Sequence, residues 1–218
     1  ERRQTLPHTL PVGEDQPGGR PGRGFRRSRR TSSQDHALQP FRRVAATAGA
    51  RIVLAQMETP AAATLAAFRA ARAAGATTVL NAAPAQVSAA ELLEATDILV
   101  VNETEAAILA GCVGAPAALA EALASRVAQG VVLTAGAGGA YWVLGGRPAL
   151  QAAALPTEVL DSTGAGDAFV GAMVAALTEG LAMDAVVRRG VVAGALACRR
   201  LGAVPSLPRR HEILAAGG

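Results

Sequence analysis

The chain has 218 residues, half of them hydrophobic, which suffices for one domain with a sizeable core and is small for two. All 21 basic residues are arginine, which excludes a P-loop lysine and lysine Schiff-base chemistry. No apolar run reaches the roughly 18 residues that span a bilayer, no hydrophobic signal segment stands at the N-terminus, and Cys112 and Cys198 have no metal-ligand spacing, so a reducing cytoplasm is expected.

Charge divides the chain. Residues 1–43 hold ten arginines and four acids, and residues 44–218 hold eleven and thirteen. The first segment is rich in Pro, Gly, Ser and Arg and shows no period of 2 or 3.6. It is expected to be disordered or unrelated to the rest. A basic arm on nucleic acid, a leader without a role and an out-of-frame product all fit that composition. Nucleic acid is the least favoured, since Phe25 is the one aromatic that accompanies the arginines among residues 20–30.

From residue 44 the pattern becomes regular. RIVLAQ (51–56) reads as a short buried strand. PAAATLAAFRAARAAG (60–75) reads as a helix with Pro60 at its start and Gly75 at its end. TTVLN (77–81) is a strand, AAPAQVS a loop and AAELLEA a helix. DILVVN (97–102) is a strand, followed by a helix over ETEAAILAG. PAALAEALASRVAQG is expected to be a helix ending at Gly130, and VVLTAG (131–136) a strand. AYWVLGG and RPALQAAAL suggest a hairpin turning at Gly145-Gly146. Helices over roughly 165–179 and 182–200 close the pattern. Such alternation predicts a parallel sheet covered on both faces, with ligands at the carboxyl ends of its strands. Glu58, Asn81, Asn102, Glu105, Thr134 and Gly136 stand at those ends.

Residues 161–169 read DSTGAGDAF and lead into an apolar helix. A Gly-Ala-Gly turn before a helix leaves backbone N–H groups and the helix dipole facing outward, an anion site. Asp167, in the first turn beside it, can accept a proton. A base next to a held phosphoryl group is the arrangement for transfer to an alcohol.

The segment D161-S-T-G-A-G-D167 resembles the signature of the ribokinase-like carbohydrate kinase family. Other stretches follow in the family's order: AQMETP (55–60), LNAAPA (80–85), VNETEA (101–106), LTAGAGGA (133–140) and GAVPSLP (202–208). Those around Glu58, Asn81 and Ser206 are most similar to the ribokinase branch. The resemblance implies a three-layer α/β fold with a mainly parallel sheet. It implies ATP-dependent phosphorylation of a sugar hydroxyl, ribose first, with magnesium (Mg2+) and potassium (K+) as cofactors.

By the same resemblance Asp167 is the base, and Gly164, Ala165 and Gly166 with the Asp167 N–H form the anion hole. Asn102 and Glu105 act on phosphate and magnesium through water, Thr134 and Gly136 lie against the nucleotide, and Glu58 contacts the sugar. Asp161, Thr163, Ala197, Arg200, Gly202 and Ser206 line a monovalent-cation site. Residues 44–218 would then be the nucleotide-binding part of the kinase. The family's N-terminal sugar-binding half, with its lid, has no counterpart here, and its G-G-K-G-x-N segment cannot exist without lysine. The alternatives are therefore a remnant that binds at most nucleotide, without turnover, and a different sugar or nucleoside kinase of the same family. Sugar and ATP are the expected partners, a membrane is not, and homodimerisation, which the family achieves through that lid, is left open.

Overall fold

The computed structural model describes residues 49–86 and 90–218. The expected division at residue 43 lies outside the described residues.

Four strands come first in the sheet: β1 (Ile52–Gln56), β2 (Thr77–Asn81), β3 (Ile98–Asn102) and β4 (Gly130–Thr134). They lie side by side in chain order and run parallel, as βαβ units require. β5 (Ala140–Leu144) pairs antiparallel with β4, and β6 (Leu150–Ala152) pairs antiparallel with β5 at the sheet's edge. The helices are α1 (Ala61–Ala73), α2 (Ala90–Glu94), α3 (Glu103–Ala110), α4 (Pro116–Ala124), α5 (Ala165–Thr178), α6 (Met183–Ala197), α7 (Ala203–Ser206) and α8 (Arg210–Ala215).

Side chains of a strand point alternately to its two faces. Leu80, Leu99, Val101, Val131 and Leu133 face one way, onto Phe68 of α1, Leu93 of α2, Leu109 of α3 and Leu123 of α4. Val79, Ile98, Val100 and Val132 face the other way, onto Phe169 and Met173 of α5 and Val187 of α6. The result is three layers, helices on both sides of a sheet whose central strands are buried on both faces. α5 and α6 approach closely because Gly190 leaves room for the Phe169 ring. A Cβ on Gly190 would stand 2.9 Å from that ring.

Four boundaries differ from the sequence expectation. The helix from Pro116 stops at Ala124, with Ser125 as its cap, and Gly130 is instead the first residue of β4. A Cβ at Gly130 would lie 2.1 Å from the Val143 carbonyl oxygen, so glycine is set there by strand packing and not by a helix end. The fourth strand ends at Thr134, and Gly136–Gly138 forms a 3₁₀ turn. The second hairpin strand holds only three residues. The last long helix spans Met183–Ala197 within the expected 182–200. Short helices α7 and α8 were not anticipated, since four and six residues are too few to show a period.

Candidate functional site

The carboxyl ends of the parallel strands form one edge. Gln56 pairs with Asn81, Asn81 with Val100, and Asn102 with Thr134, so the polar residues that end β1 to β4 stand in a row. The N-terminus of α5 opens at the same edge.

Gly164 caps α5 with φ of 78°, a left-handed conformation that only glycine adopts without strain. It also packs on α7, where its Cβ position would lie 3.2 Å from Ala203 backbone atoms. The Ala165 N–H is spent on the Ser162 carbonyl at 3.1 Å. Those of Gly164, Gly166 and Asp167 have no acceptor among the described residues. The open donors of the turn are therefore Gly164, Gly166 and Asp167, with Ala165 shaping the approach.

The Asp167 carboxylate accepts a hydrogen bond from Gln56 Nε2 at 3.1 Å. Both residues line a groove of 520 Å³ between β1, α1 and α5, together with Glu58, Thr59, Thr64 and Phe68. Glu58 is exposed at its mouth, in the turn after β1.

At the end of β3, Asn102 and Glu105 form a reciprocal capping box on α3. Asn102 Oδ1 accepts from the Glu105 N–H, and Glu105 Oε2 accepts from the Asn102 N–H, each at 2.8 Å. Burial pushes the Glu105 carboxyl up from its ordinary value, and the Asn102 N–H partly offsets it. Thr134 lies beside Asn102 in register and its hydroxyl donates to the Val101 carbonyl at 3.4 Å. Gly136 begins the turn beyond, at φ of 49°.

A third group ties the approach of α5 to α7. One Asp161 oxygen accepts from the Thr163 N–H at 2.9 Å and the other from the Gly202 N–H at 2.8 Å. The Thr163 hydroxyl, then these two N–H groups, hold the Asp161 carboxyl below its ordinary value. Ser206 is fully buried, and its hydroxyl faces the carbonyls of Ala203 at 2.7 Å and Thr163 at 3.5 Å. The Ala197 carbonyl ends α6 and accepts from the Arg200 N–H at 3.2 Å. The Arg200 guanidinium turns away to pair with Glu212, so only its backbone belongs to this group.

The predicted residues thus fall into three neighbouring sets. The Gly166–Asp167 set touches the groove through Gln56 and touches α7 through Gly164. The Asn102–Glu105–Thr134 set shares the same edge without a direct contact to Asp167. Gln56 was not singled out from the sequence. Its signal is its place as the first polar residue of AQMETP, two positions before Glu58.

Among the described residues no three His, Cys, Asp or Glu side chains lie close enough to hold a metal ion by themselves. A single half-buried carboxylate at Glu105 suits a divalent ion carried mainly by phosphate oxygens and water. The oxygen-only set around Asp161, Thr163 and Ser206 suits a hard monovalent cation. No helix among the described residues is long and apolar enough to cross a membrane.

The family model for "pfkB family carbohydrate kinase" matches residues 28–210. The Haemophilus influenzae ribokinase is 37% identical over 166 residues, covering 74% of this chain and 54% of that protein. The Staphylococcus aureus ribokinase is also 37% identical, over 75% of this chain and 55% of that protein. The Arabidopsis thaliana ribokinase structure, complexed with ribose and ATP, superposes with a TM-score of 0.71 at 30% identity, over 85% of this chain and 59% of that one. The Thermotoga maritima ribokinase gives 0.72 at 29% identity, over 79% and 58%. The chain therefore spans little more than half the length of these relatives.

Proposed function

The chain belongs to the pfkB family of carbohydrate kinases, and we propose that it transfers the γ-phosphate of ATP to a sugar hydroxyl, ribose first, with Asp167 as general base. The observation that carries this reading is one juxtaposition. A carboxylate in the first turn of α5 lines a groove beside three unspent backbone N–H groups and an exposed glutamate.

Asp167 takes the proton from the sugar hydroxyl as its oxygen attacks the γ-phosphorus. The bond from that phosphorus to the β,γ-bridging oxygen breaks and ADP leaves. The Gly164, Gly166 and Asp167 N–H groups, backed by the α5 dipole, hold the charge that develops on the transferring group. Asp167 then returns its proton to water. Glu58 fixes the sugar at the groove mouth, and Thr134 with Gly136 lies against the nucleotide.

Asn102 and Glu105 would hold magnesium through its water shell, and the bound ion neutralises phosphate charge. The carbonyls and side chains of Asp161, Thr163, Ala197, Arg200, Gly202 and Ser206 would hold potassium. Asp161 accepts from Thr163 and from Gly202, so a cation there would brace the turn that presents the anion hole.

The test is ADP release from the purified chain with ATP, magnesium, potassium and ribose, beside Asp167→Asn. We expect ribose-dependent release that falls by about 10²–10⁴-fold in the variant, the range of a lost general base. A folded chain that binds ATP without any release would replace this reading with nucleotide binding alone.

A further inference from the structure

Gln56 is the last residue of β1, and its amide reaches across to α5, a partner 111 residues away in sequence. We propose that Gln56 is a positioning residue for Asp167, a role that rests on the kinase reading above.

The strand fixes one side of Gln56 through its register with Asn81. The turn that follows is pinned as well. The Met57 N–H donates to the Ala83 carbonyl at 3.2 Å, and the Met57 carbonyl accepts from Gln86 Nε2 at 3.1 Å. The Gln56 amide is therefore held by the sheet, while the Asp167 side chain stands on the first turn of a separate helix. An aspartate in a first turn can fold back onto its own backbone N–H groups. The Gln56 donor draws Oδ1 towards β1, and Oδ2 keeps no partner among the described residues. Oδ2 is thereby the oxygen offered to the sugar hydroxyl.

An amide suits the role better than a cation would. It orients the carboxylate without an ion pair, and a neighbouring opposite charge would weaken the base. Glu58 lies two residues beyond Gln56 and lines the same groove. The end of β1 thus carries both the proposed sugar contact and the proposed alignment of the base.

Two variants of the full chain test this. Gln56→Met keeps the length of the side chain and removes the donor. It should lower kcat about tenfold with KM for ATP and ribose within about twofold, since a hydrogen bond to a charged group is worth about that factor. Gln56→Glu keeps the shape and brings a second carboxylate to about 3 Å. Two such groups cannot both ionise easily, so the acid limb of the kcat profile should move to higher pH. A purely structural glutamine would lower the melting temperature of Gln56→Met and leave its kcat in place.

A second measurement does not depend on turnover. The side-chain amide resonances of Gln56 should shift in Asp167→Ala, read by 15N NMR. A wild-type chain that fails to release ADP while those resonances respond would remove the kinase reading and keep the Gln56–Asp167 pairing. Unmoved resonances, or a Gln56→Met enzyme with wild-type kcat and pH profile, would overturn the proposal.

Discussion

Glu105 carries two demands on one side chain. Its carboxylate closes the capping box on α3, and its charge is what a magnesium-bearing phosphate would meet. The two can be separated, because glutamine also completes a capping box. Glu105→Gln should leave the melting temperature nearly unchanged, and burial of a neutral group there relieves the desolvation that raises the Glu105 pKa. If the charge serves the metal, ATP turnover in the variant should need several-fold more magnesium. A magnesium titration of initial rates against thermal melts decides it, and an unchanged magnesium requirement would leave Glu105 as a cap alone. The spacing of Asn102 and Glu105 was legible in the sequence because a cap is local, three residues long. The Gln56–Asp167 contact was not, because nothing local links residues from different layers.

At the scale of elements, Gly130 shows how packing overrides a local signal. Glycine after a helical run reads as a helix end. The structure places it in β4 against β5, where the Val143 carbonyl and the Leu144 side chain occupy the space of any Cβ. Gly130→Ala should cost about 3 kcal/mol, the upper range of overpacking, because the opposing atom is backbone and cannot swing aside. Urea unfolding of the pair measures it. A loss below about 0.5 kcal/mol, the scale of an indifferent surface change, would mean that β4 and β5 separate easily. The central strands, by contrast, were legible as continuous apolar runs. A strand buried on both faces needs apolar residues at every position, and the segments of β3 and β4 supply them.

Across the whole molecule, acid sensitivity should concentrate in the C-terminal layer. The Arg200 guanidinium, then the Arg209 N–H, hold the Glu212 carboxyl down at about 2. Arg189 and then Arg210 hold the Glu179 carboxyl below its ordinary value, and Thr163 with Gly202 does the same for Asp161. For a depressed carboxyl the unfolded chain binds more protons than the folded one in the window between the two values. The stabilisation is therefore complete above the ordinary value of 4.5 and is lost as pH falls from there towards about 2. Melting temperatures should be level above that window and decline within it, less steeply in Glu212→Gln. These groups are exposed, so added salt should shrink the difference. A Glu212→Gln profile identical to wild type would assign the acid response to other groups.

The alternation of strands and helices, the glycine turn with its aspartate, and the capping asparagine and glutamate are all legible along the chain. Each of these rests on residues within a few positions of one another, where propensity, periodicity and caps act. Which N–H groups of the turn remain free, that the Arg200 side chain leaves the Asp161 group for Glu212, and that Gln56 meets Asp167 emerge from the folded chain alone. Those outcomes depend on how separate layers approach, and side-chain hydrogen bonds across that distance follow from packing that no local pattern encodes.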